Sequence, residues 1–97
     1  MTGTGIEKAF VEYLRENYAL EAFKLRIDGV DGFPDRSVIV GGRIFLIEFK
    51  SPNEKLRPQQ RKIHGELKAD GTPVFIGRDL EESIKAIEEW ILEEDEN

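Results

Sequence analysis

The stretch "GFPDRSVIVGGRIFLIEFKSP", residues Gly32–Pro52, decides the fold. Two apolar runs flank a central Gly-Gly pair, which is typical of a two-residue β-hairpin turn. We therefore predict strands over Arg36–Val40 and Arg43–Lys50, paired antiparallel. The second strand is apolar on both faces, yet Glu48 and Lys50 lie within it and point to the same side. The question is why an acid and a base lie within the most hydrophobic strand of the chain.

Three helices and two further strands are predicted around this hairpin. They are a helix from Thr4 to about Asn17, a strand at about Ala22–Ile27, a helix from Pro58 to near Asp70-Gly71, a strand over Pro73–Ile76, and a last helix capped by Asp79. Thr4-x-x-Glu7 fits a capping box at the start of the first helix. The order αβββαβα predicts an α/β fold with a mixed central sheet flanked by helices, a restriction-endonuclease-like core.

Length and composition favour one small domain over residues 1–97, with an acidic tail at about 93–97. Leu, Ile, Val and Phe together make up 29 of 97 residues, which is enough for a core. There is no cysteine, so disulfides and thiolate metal sites are excluded. No signal peptide or membrane span is recognisable, and we expect a cytoplasmic protein.

The charge is unevenly distributed along the chain. The net charge is −6, but residues 79–97 hold nine acids and one base, whereas residues 1–78 hold eleven acids and thirteen bases. From Lys50 to Lys68 there are six bases and two acids. A mildly basic middle is compatible with a polyanion as partner, although such runs also occur on ordinary solvated faces.

The hairpin register brings a second carboxylate to Glu48. Counting back from the turn, Arg36 faces Ile47 and Asp35 faces Glu48. Opposed carboxylates repel each other unless a cation lies between them, and Mg²⁺ takes one or two carboxylates while keeping several waters. Lys50, on the same face, could orient a water or steady a phosphate. The pattern favours metal-assisted phosphodiester hydrolysis over the alternative, a Glu48–Lys50 ion pair at a strand end.

Pro34-Asp35, a spacer of twelve residues and Glu48-Phe49-Lys50 resemble the PD-(D/E)XK nuclease superfamily. The segments "GFPD", "EFKSP", "LRPQQ" and "GTPVFIG" are similar to its VRR-NUC branch, the virus-type replication-repair nucleases, over roughly residues 4–85. The chain looks like a small stand-alone member of the kind found in phages and bacteria. The expected location is then a bacterial cell or a phage-infected host.

The resemblance implies a role for each matching residue. The implied metal ligands are Asp35, Glu48, the backbone carbonyl of Phe49 and Glu7; Lys50 is the implied catalytic lysine, and Gln60 the implied glutamine contacting the site. The implied cofactor is Mg²⁺ or Mn²⁺. Glu7 could instead serve only the capping box, and Gln60 could be a surface residue. The single histidine, His64, is more typical of a packing or surface residue than of a catalytic one.

The expected substrate is DNA, contacted by a polar loop and the helix that follows it. The candidates for DNA contact are Arg36, Lys55, Arg57, Arg61 and Lys62, whose alternative role is ordinary solvated charge. Analogy with stand-alone relatives predicts a homodimeric, structure-selective endonuclease resembling a Holliday-junction resolvase. Two alternatives stay open: a restriction-like, DNA-end or flap nuclease, and a catalytically inactive DNA-binding module of the same fold.

Overall fold

A computed structural model describes residues 1–96 of the chain, with side chains up to Glu93. Within that range the elements are α1 (Gly3–Tyr18), β1 (Arg36–Val40), β2 (Arg43–Phe49), α2 (Pro58–Ala69), β3 (Val74–Gly77) and α3 (Leu80–Glu96). The predicted α/β class, a mixed sheet flanked by helices, is confirmed. The predicted acidic tail overlaps the end of α3, and Asn97 lies outside the described residues.

The sheet has the order β1-β2-β3, with β2 antiparallel to β1 and parallel to β3. The predicted hairpin register is confirmed: Val40 pairs with Arg43, and Arg36 pairs with Ile47. Strand β2 ends one residue earlier than predicted, although the Lys50 backbone N–H still donates to the Gly77 carbonyl at 3.0 Å. Strand β3 begins and ends one residue later than predicted.

The predicted strand at Ala22–Ile27 is wrong. Phe23 alone pairs with the sheet, exchanging backbone hydrogen bonds with Ser37 at 2.8 and 2.9 Å. The neighbouring Ala22 carbonyl accepts from the Arg36 guanidinium at 2.9 Å. Leu25 and Ile27 remain 40% and 44% exposed, because no layer covers them. The observed order is therefore αββαβα.

The predicted capping box at Thr4 is also wrong. Thr2 caps α1, and its hydroxyl accepts from the Gly5 N–H at 3.0 Å. Since α1 begins two residues earlier than the capping box required, Glu7 is free of capping and turns toward the sheet. The other two helix starts match their predictions: Pro58 is the first residue of α2, and the Asp79 carboxylate accepts from the Glu82 N–H at 3.1 Å.

The apolar core lies between the sheet and the helices α1 and α3. Phe10 and Leu14 of α1, Ile47 of β2 and Ile87 of α3 are fully buried. Phe10 meets Phe49 edge to face, with ring centroids 5.3 Å apart. Phe45, Ile47 and Phe49 of β2 thus face the core, whereas Glu48 faces the other side of the sheet and meets Gln60 of α2. No helix among the described residues has the length and apolar character needed to cross a membrane.

Candidate active site

The predicted acidic residues and the lysine line a single cleft of about 430 Å³ at the carboxyl end of β2. Its walls come from the start of α1, the residue before β1, the end of β2 and the loop after it. The lining residues are Thr2, Gly3, Thr4, Glu7, Asp35, Glu48, Phe49, Lys50, Ser51 and Glu54. Residues distant in sequence meet here because β1 and β2 form a hairpin and α1 begins beside their open end.

Asp35 is anchored by the neighbouring strand. Its Oδ2 accepts a hydrogen bond from the Phe49 backbone N–H at 2.8 Å. The residue directly precedes β1, so its carboxylate continues the pairing beyond Arg36 and Ile47. The hairpin thus fixes the position of this carboxylate next to Glu48.

Glu48 is the most deeply buried acid of the site, with 3% of its surface exposed. Its Oε2 accepts from Gln60 Nε2 at 3.0 Å, whereas its buried Oε1 has no hydrogen-bond partner. Burial raises the pKa of Glu48 to about 7, the charge of Asp35 adds to that rise, and the Lys50 ammonium opposes it. A carboxylate buried beside another one, with an orphaned oxygen, costs stability unless it takes up a proton or a cation binds to it.

Lys50 lies between two carboxylates and is itself 5% exposed. Its Nζ is 3.9 Å from Glu48 Oε2 and 3.4 Å from Glu54 Oε2. Glu54 also accepts from the Ser51 backbone N–H, and these contacts lower the pKa of its carboxyl, the Ser51 N–H foremost. Both carboxylates hold the ammonium at the cleft.

Gln60 links α2 to the site with both ends of its amide. Its Oε1 accepts from the Arg57 N–H at 2.8 Å at the helix start, and its Nε2 donates to Glu48. The helix can approach this closely because Gly32 has no side chain. A Cβ there would lie 2.7 Å from the Gln59 carbonyl, and φ at Gly32 is +92°. The glycine of "GFPD" therefore has a packing function that the sequence did not reveal.

Glu7 lines the cleft, but its Oε2 is bound by the Arg36 guanidinium at 2.7 Å. Both side chains are largely buried, with 19% and 17% of their surfaces exposed. Arg36, predicted as a DNA contact, is thus engaged inside the protein through Glu7 and the Ala22 carbonyl. The direct contact of Glu7 is with Arg36.

His64 lies on α2 one turn after Gln60 and is buried, with neither ring nitrogen hydrogen-bonded. Burial lowers the pKa of this imidazole, and it does not line the cleft. The four remaining candidates for DNA contact, Lys55, Arg57, Arg61 and Lys62, are exposed on the loop and the start of α2. Among them Arg57 pairs with Asp31 at 3.3 Å, also at the surface.

The donor set suits a hard divalent cation bound by few protein ligands. The described residues contain no group of three or more His, Cys, Asp and Glu side chains placed to hold a metal. Asp35 and Glu48 are a pair of acids, and Mg²⁺ needs only one or two carboxylates when waters complete its shell. The orphaned Glu48 Oε1 and the mutual repulsion of the two acids both favour a cation between them. The residues present therefore fit Mg²⁺ or Mn²⁺.

The sequence missed Glu54 and the start of α1. Lys50-x-x-x-Glu54 was readable as a spacing, but no rule for loops predicts that the two charges meet. The sequence also did not reveal the role of Gly3. A Cβ there would lie 3.1 Å from the Phe49 carbonyl oxygen, so glycine lets α1 begin close to β2 without a tight contact. A larger cavity of about 600 Å³ lies at the other end of the sheet, beside Phe45, Phe75 and Trp90, away from every predicted site residue.

Comparison with known proteins agrees with this geometry. No family model matches the chain. A protein of Acyrthosiphon pisum secondary endosymbiont phage 1, named "Putative nuclease p44", is 35% identical over 85 residues, covering 84% of this chain and 90% of that protein. A solved structure described as "VRR_NUC domain" is similar with a TM-score of 0.74 and 29% identity, covering 91% of this chain and 97% of that one. The resemblance found in the sequence is confirmed, and the chain belongs to the VRR-NUC nuclease family.

Proposed function

We propose that this nuclease is a metal-dependent DNA endonuclease that hydrolyses phosphodiester bonds at the cleft between α1 and the β1–β2 hairpin. The observation that carries the proposal is the buried Glu48 beside the half-buried Asp35, with one Glu48 oxygen unpartnered and Lys50 next to it. A protein without catalytic activity has no physical need for such a pair, because placing a second carboxylate beside a buried one costs stability.

Asp35 and Glu48, with the backbone carbonyl of Phe49, would hold Mg²⁺ or Mn²⁺. When bound, the metal would supply an activated water and stabilisation of the charge that develops on the phosphate. Gln60 keeps the Glu48 carboxylate oriented through its Nε2, and the Phe49 N–H keeps Asp35 oriented. The positions of both acids are therefore set before any ligand arrives.

Lys50 would hold a non-bridging oxygen of the scissile phosphate or orient the attacking water. Its ammonium is kept in the cleft by Glu48 and Glu54, within reach of a group bound between the acids. Helix α1 begins at the same cleft, and its first backbone N–H groups have no partner within the helix. The positive end of α1 favours a phosphate at this position.

DNA would lie across the loop after β2 and the start of α2. Lys55, Arg57, Arg61 and Lys62 are exposed there and would contact backbone phosphates, which position a duplex without reading its sequence. The expected location of this nuclease, a bacterial cell or a phage-infected host, stays a prediction.

We propose further that the substrate is branched DNA and that the enzyme is a homodimer resembling a Holliday-junction resolvase. A chain of 97 residues offers little surface for gripping a junction, and a dimer would present two clefts to two strands. In support, large apolar side chains are exposed on the β1–β2 hairpin and on the segment before it, namely Phe23, Leu25, Ile27, Ile39 and Ile44. Restriction-like, DNA-end or flap cleavage by the same cleft is the alternative.

The test is cleavage of a labelled four-way junction, a flap and a plain duplex, each with Mg²⁺, with Mn²⁺ and with a chelator. The wild type is expected to cut the junction fastest and only with metal, and Asp35→Ala is expected to cut none. Asp28→Ala, an exposed acid outside the cleft, is the matched control and should cut like wild type. No cleavage of any substrate with either metal, or unchanged cleavage by Asp35→Ala, would refute the proposal.

A further inference from the structure

Lys50 is held more closely by an acid of the loop than by the acid of its own strand. Its Nζ is 3.4 Å from Glu54 Oε2 and 3.9 Å from Glu48 Oε2. The same Glu48 oxygen also receives the Gln60 hydrogen bond, and in the proposed function Glu48 is committed to the metal. The Lys50 ammonium therefore depends on Glu54 for a partner that the reaction does not use.

The loop aims Glu54 at Lys50. Glu54 Oε1 accepts from both the backbone N–H and the hydroxyl of Ser51, at 3.2 and 3.3 Å, which leaves Oε2 turned to the ammonium. The loop itself is tied to the sheet by Arg78, whose Nη1 donates to the Ser51 carbonyl at 3.1 Å and to the Glu54 carbonyl.

This arrangement is tied to the ends of two neighbouring strands. Lys50 directly follows β2, and its N–H donates to the carbonyl of Gly77, the last residue of β3. Arg78 directly follows Gly77. Lys50 and Arg78 thus lie at the ends of the parallel strands β2 and β3. Arg78 holds the loop that carries Glu54. The loop that carries Glu54 is therefore fixed relative to the backbone of Lys50.

The negative charge of Glu54 is unfavourable for binding a phosphodiester in this cleft, so the residue is expected to have another role there. It lines the cleft, and its side chain is 49% exposed, so its charge faces whatever enters. A carboxylate at the mouth of a site for a phosphodiester repels the substrate. The hydrogen bonds that Glu54 accepts from Ser51 lie within the loop, and a neutral acceptor could form them equally well.

We infer that Glu54 is a positioning residue that holds the Lys50 ammonium at the cleft for catalysis, with Arg78 fixing the loop that carries it. The inference rests on the proposed function of the cleft. Glu54 gives up part of its contact when a phosphate oxygen reaches the ammonium, and restores it when product leaves. It therefore raises the rate of the chemical step and weakens DNA binding.

The test is Glu54→Gln, which keeps the shape and the Ser51 hydrogen bonds and removes the charge. Because the ammonium loses its nearer partner, kcat is expected to fall about three- to tenfold. The KM for DNA is expected to stay or fall, because a repelling charge has left the cleft. Glu89→Gln is the matched control, an exposed acid on α3 outside the cleft, and should leave both constants unchanged. A structural role alone would lower the melting temperature and leave kcat per folded molecule as it was.

A second readout does not depend on cleavage. The Lys50 amine can be acylated with a water-soluble ester and the product measured by mass spectrometry. Because Glu54 no longer holds the amine, acylation is expected to be about two- to fivefold faster in Glu54→Gln than in wild type or Glu89→Gln. Equal labelling would overturn the inference.

Failure of the proposed function looks different. If the wild type cuts no DNA, the proposed function fails, and the catalytic role of Glu54 fails with it. If the wild type cuts and Lys50→Met does not, but Glu54→Gln keeps the wild-type kcat, the cleft is a nuclease site and only the positioning role is wrong. If Glu54→Gln slows Lys50→Met by the same factor as it slows wild type, Glu54 does not act through Lys50.

Discussion

The two ends of strand β2 are built from opposite kinds of side chain. At the carboxyl end, Glu48 and Lys50 are buried with an acceptor left unsatisfied. At the amino end, Phe45 packs against Trp90 with ring centroids 5.5 Å apart, and the Arg43 guanidinium lies 5.2 Å from the Trp90 ring. The first arrangement costs stability, and the second contributes it. The candidate active site and the aromatic packing thus lie at opposite ends of one seven-residue strand.

The position of the polar end follows from topology. Strands β2 and β3 run parallel, so their carboxyl ends open on the same edge, where α/β folds generally bind ligands. The hairpin partner β1 begins at this edge and brings Asp35 with it. Changes at the two ends should therefore separate activity from stability.

The largest expected effect is on activity at the polar end. Lys50→Met removes the ammonium and keeps the side-chain volume, so cleavage should fall about 10²- to 10⁴-fold, the usual range for a positioned proton-transfer or charge-stabilising group. The fold should be kept, as measured by circular dichroism. Lys85→Met, on the exposed face of α3, is the matched control. Cleavage by Lys50→Met at the wild-type rate would remove the polar end from the mechanism.

At the apolar end the expected effect is on stability. Trp90→Ala removes the contacts with Phe45 and Arg43, so the free energy of unfolding should fall by about 2–4 kcal/mol in urea titrations. The rate of cleavage per folded molecule should not change. Leu92→Ala, on the same helix and 59% exposed, should lose less than about 0.5 kcal/mol. Lost activity in a fully folded Trp90→Ala protein would mean that the two ends are coupled.

The smallest expected effect is a pH dependence of stability at the polar end. Burial raises the pKa of Glu48 to about 7 from about 4.5 in the unfolded chain. Between these values the folded state keeps a proton that the unfolded state has lost, so stability should fall as pH rises through that window. The difference amounts to at most about 3 kcal/mol.

This pH dependence should be absent from Glu48→Gln. Urea unfolding of both metal-free proteins at pH 5, 6, 7 and 8 measures it, because groups other than Glu48 contribute equally to the two curves. The wild type should lose stability relative to Glu48→Gln as the pH rises. A constant difference between the two proteins would show that Glu48 carries no raised pKa.

The sequence predicted the polar end better than its surroundings. The Gly-Gly turn set the hairpin register, the register placed Asp35 beside Glu48, and the family motifs pointed to Gln60. The register and the position of Asp35 were confirmed because a two-residue turn leaves one alternation of faces, and a one-residue slip would have exposed the apolar set. The roles assigned to Asp35, Glu48 and Gln60 stay predictions. The helix starts at Pro58 and Asp79 were also readable, since their signals are local.

What the sequence did not predict depends on contacts between distant segments. The prediction of a strand at Ala22–Ile27 failed because a strand needs a partner along its length, and here Phe23 alone pairs with the sheet. Glu7 was assigned to a cap, but it meets Arg36 across 29 positions of sequence. Its implied role at the metal stays a prediction. The Glu54–Lys50 contact depends on a loop fixed by Arg78, which no local pattern encodes.

The most direct test of the central claim measures metal binding without any substrate. A cation bound only by the folded state must raise the free energy of unfolding, by about 2.7 kcal/mol at a hundredfold excess over Kd. We predict that Mn²⁺ or Mg²⁺ stabilises the wild type in urea titrations and has no such effect on Glu48→Gln, in which the orphaned carboxylate oxygen is gone. Equal responses of the two proteins, or no response of either, would contradict the claim that the buried charges of β2 form a metal site.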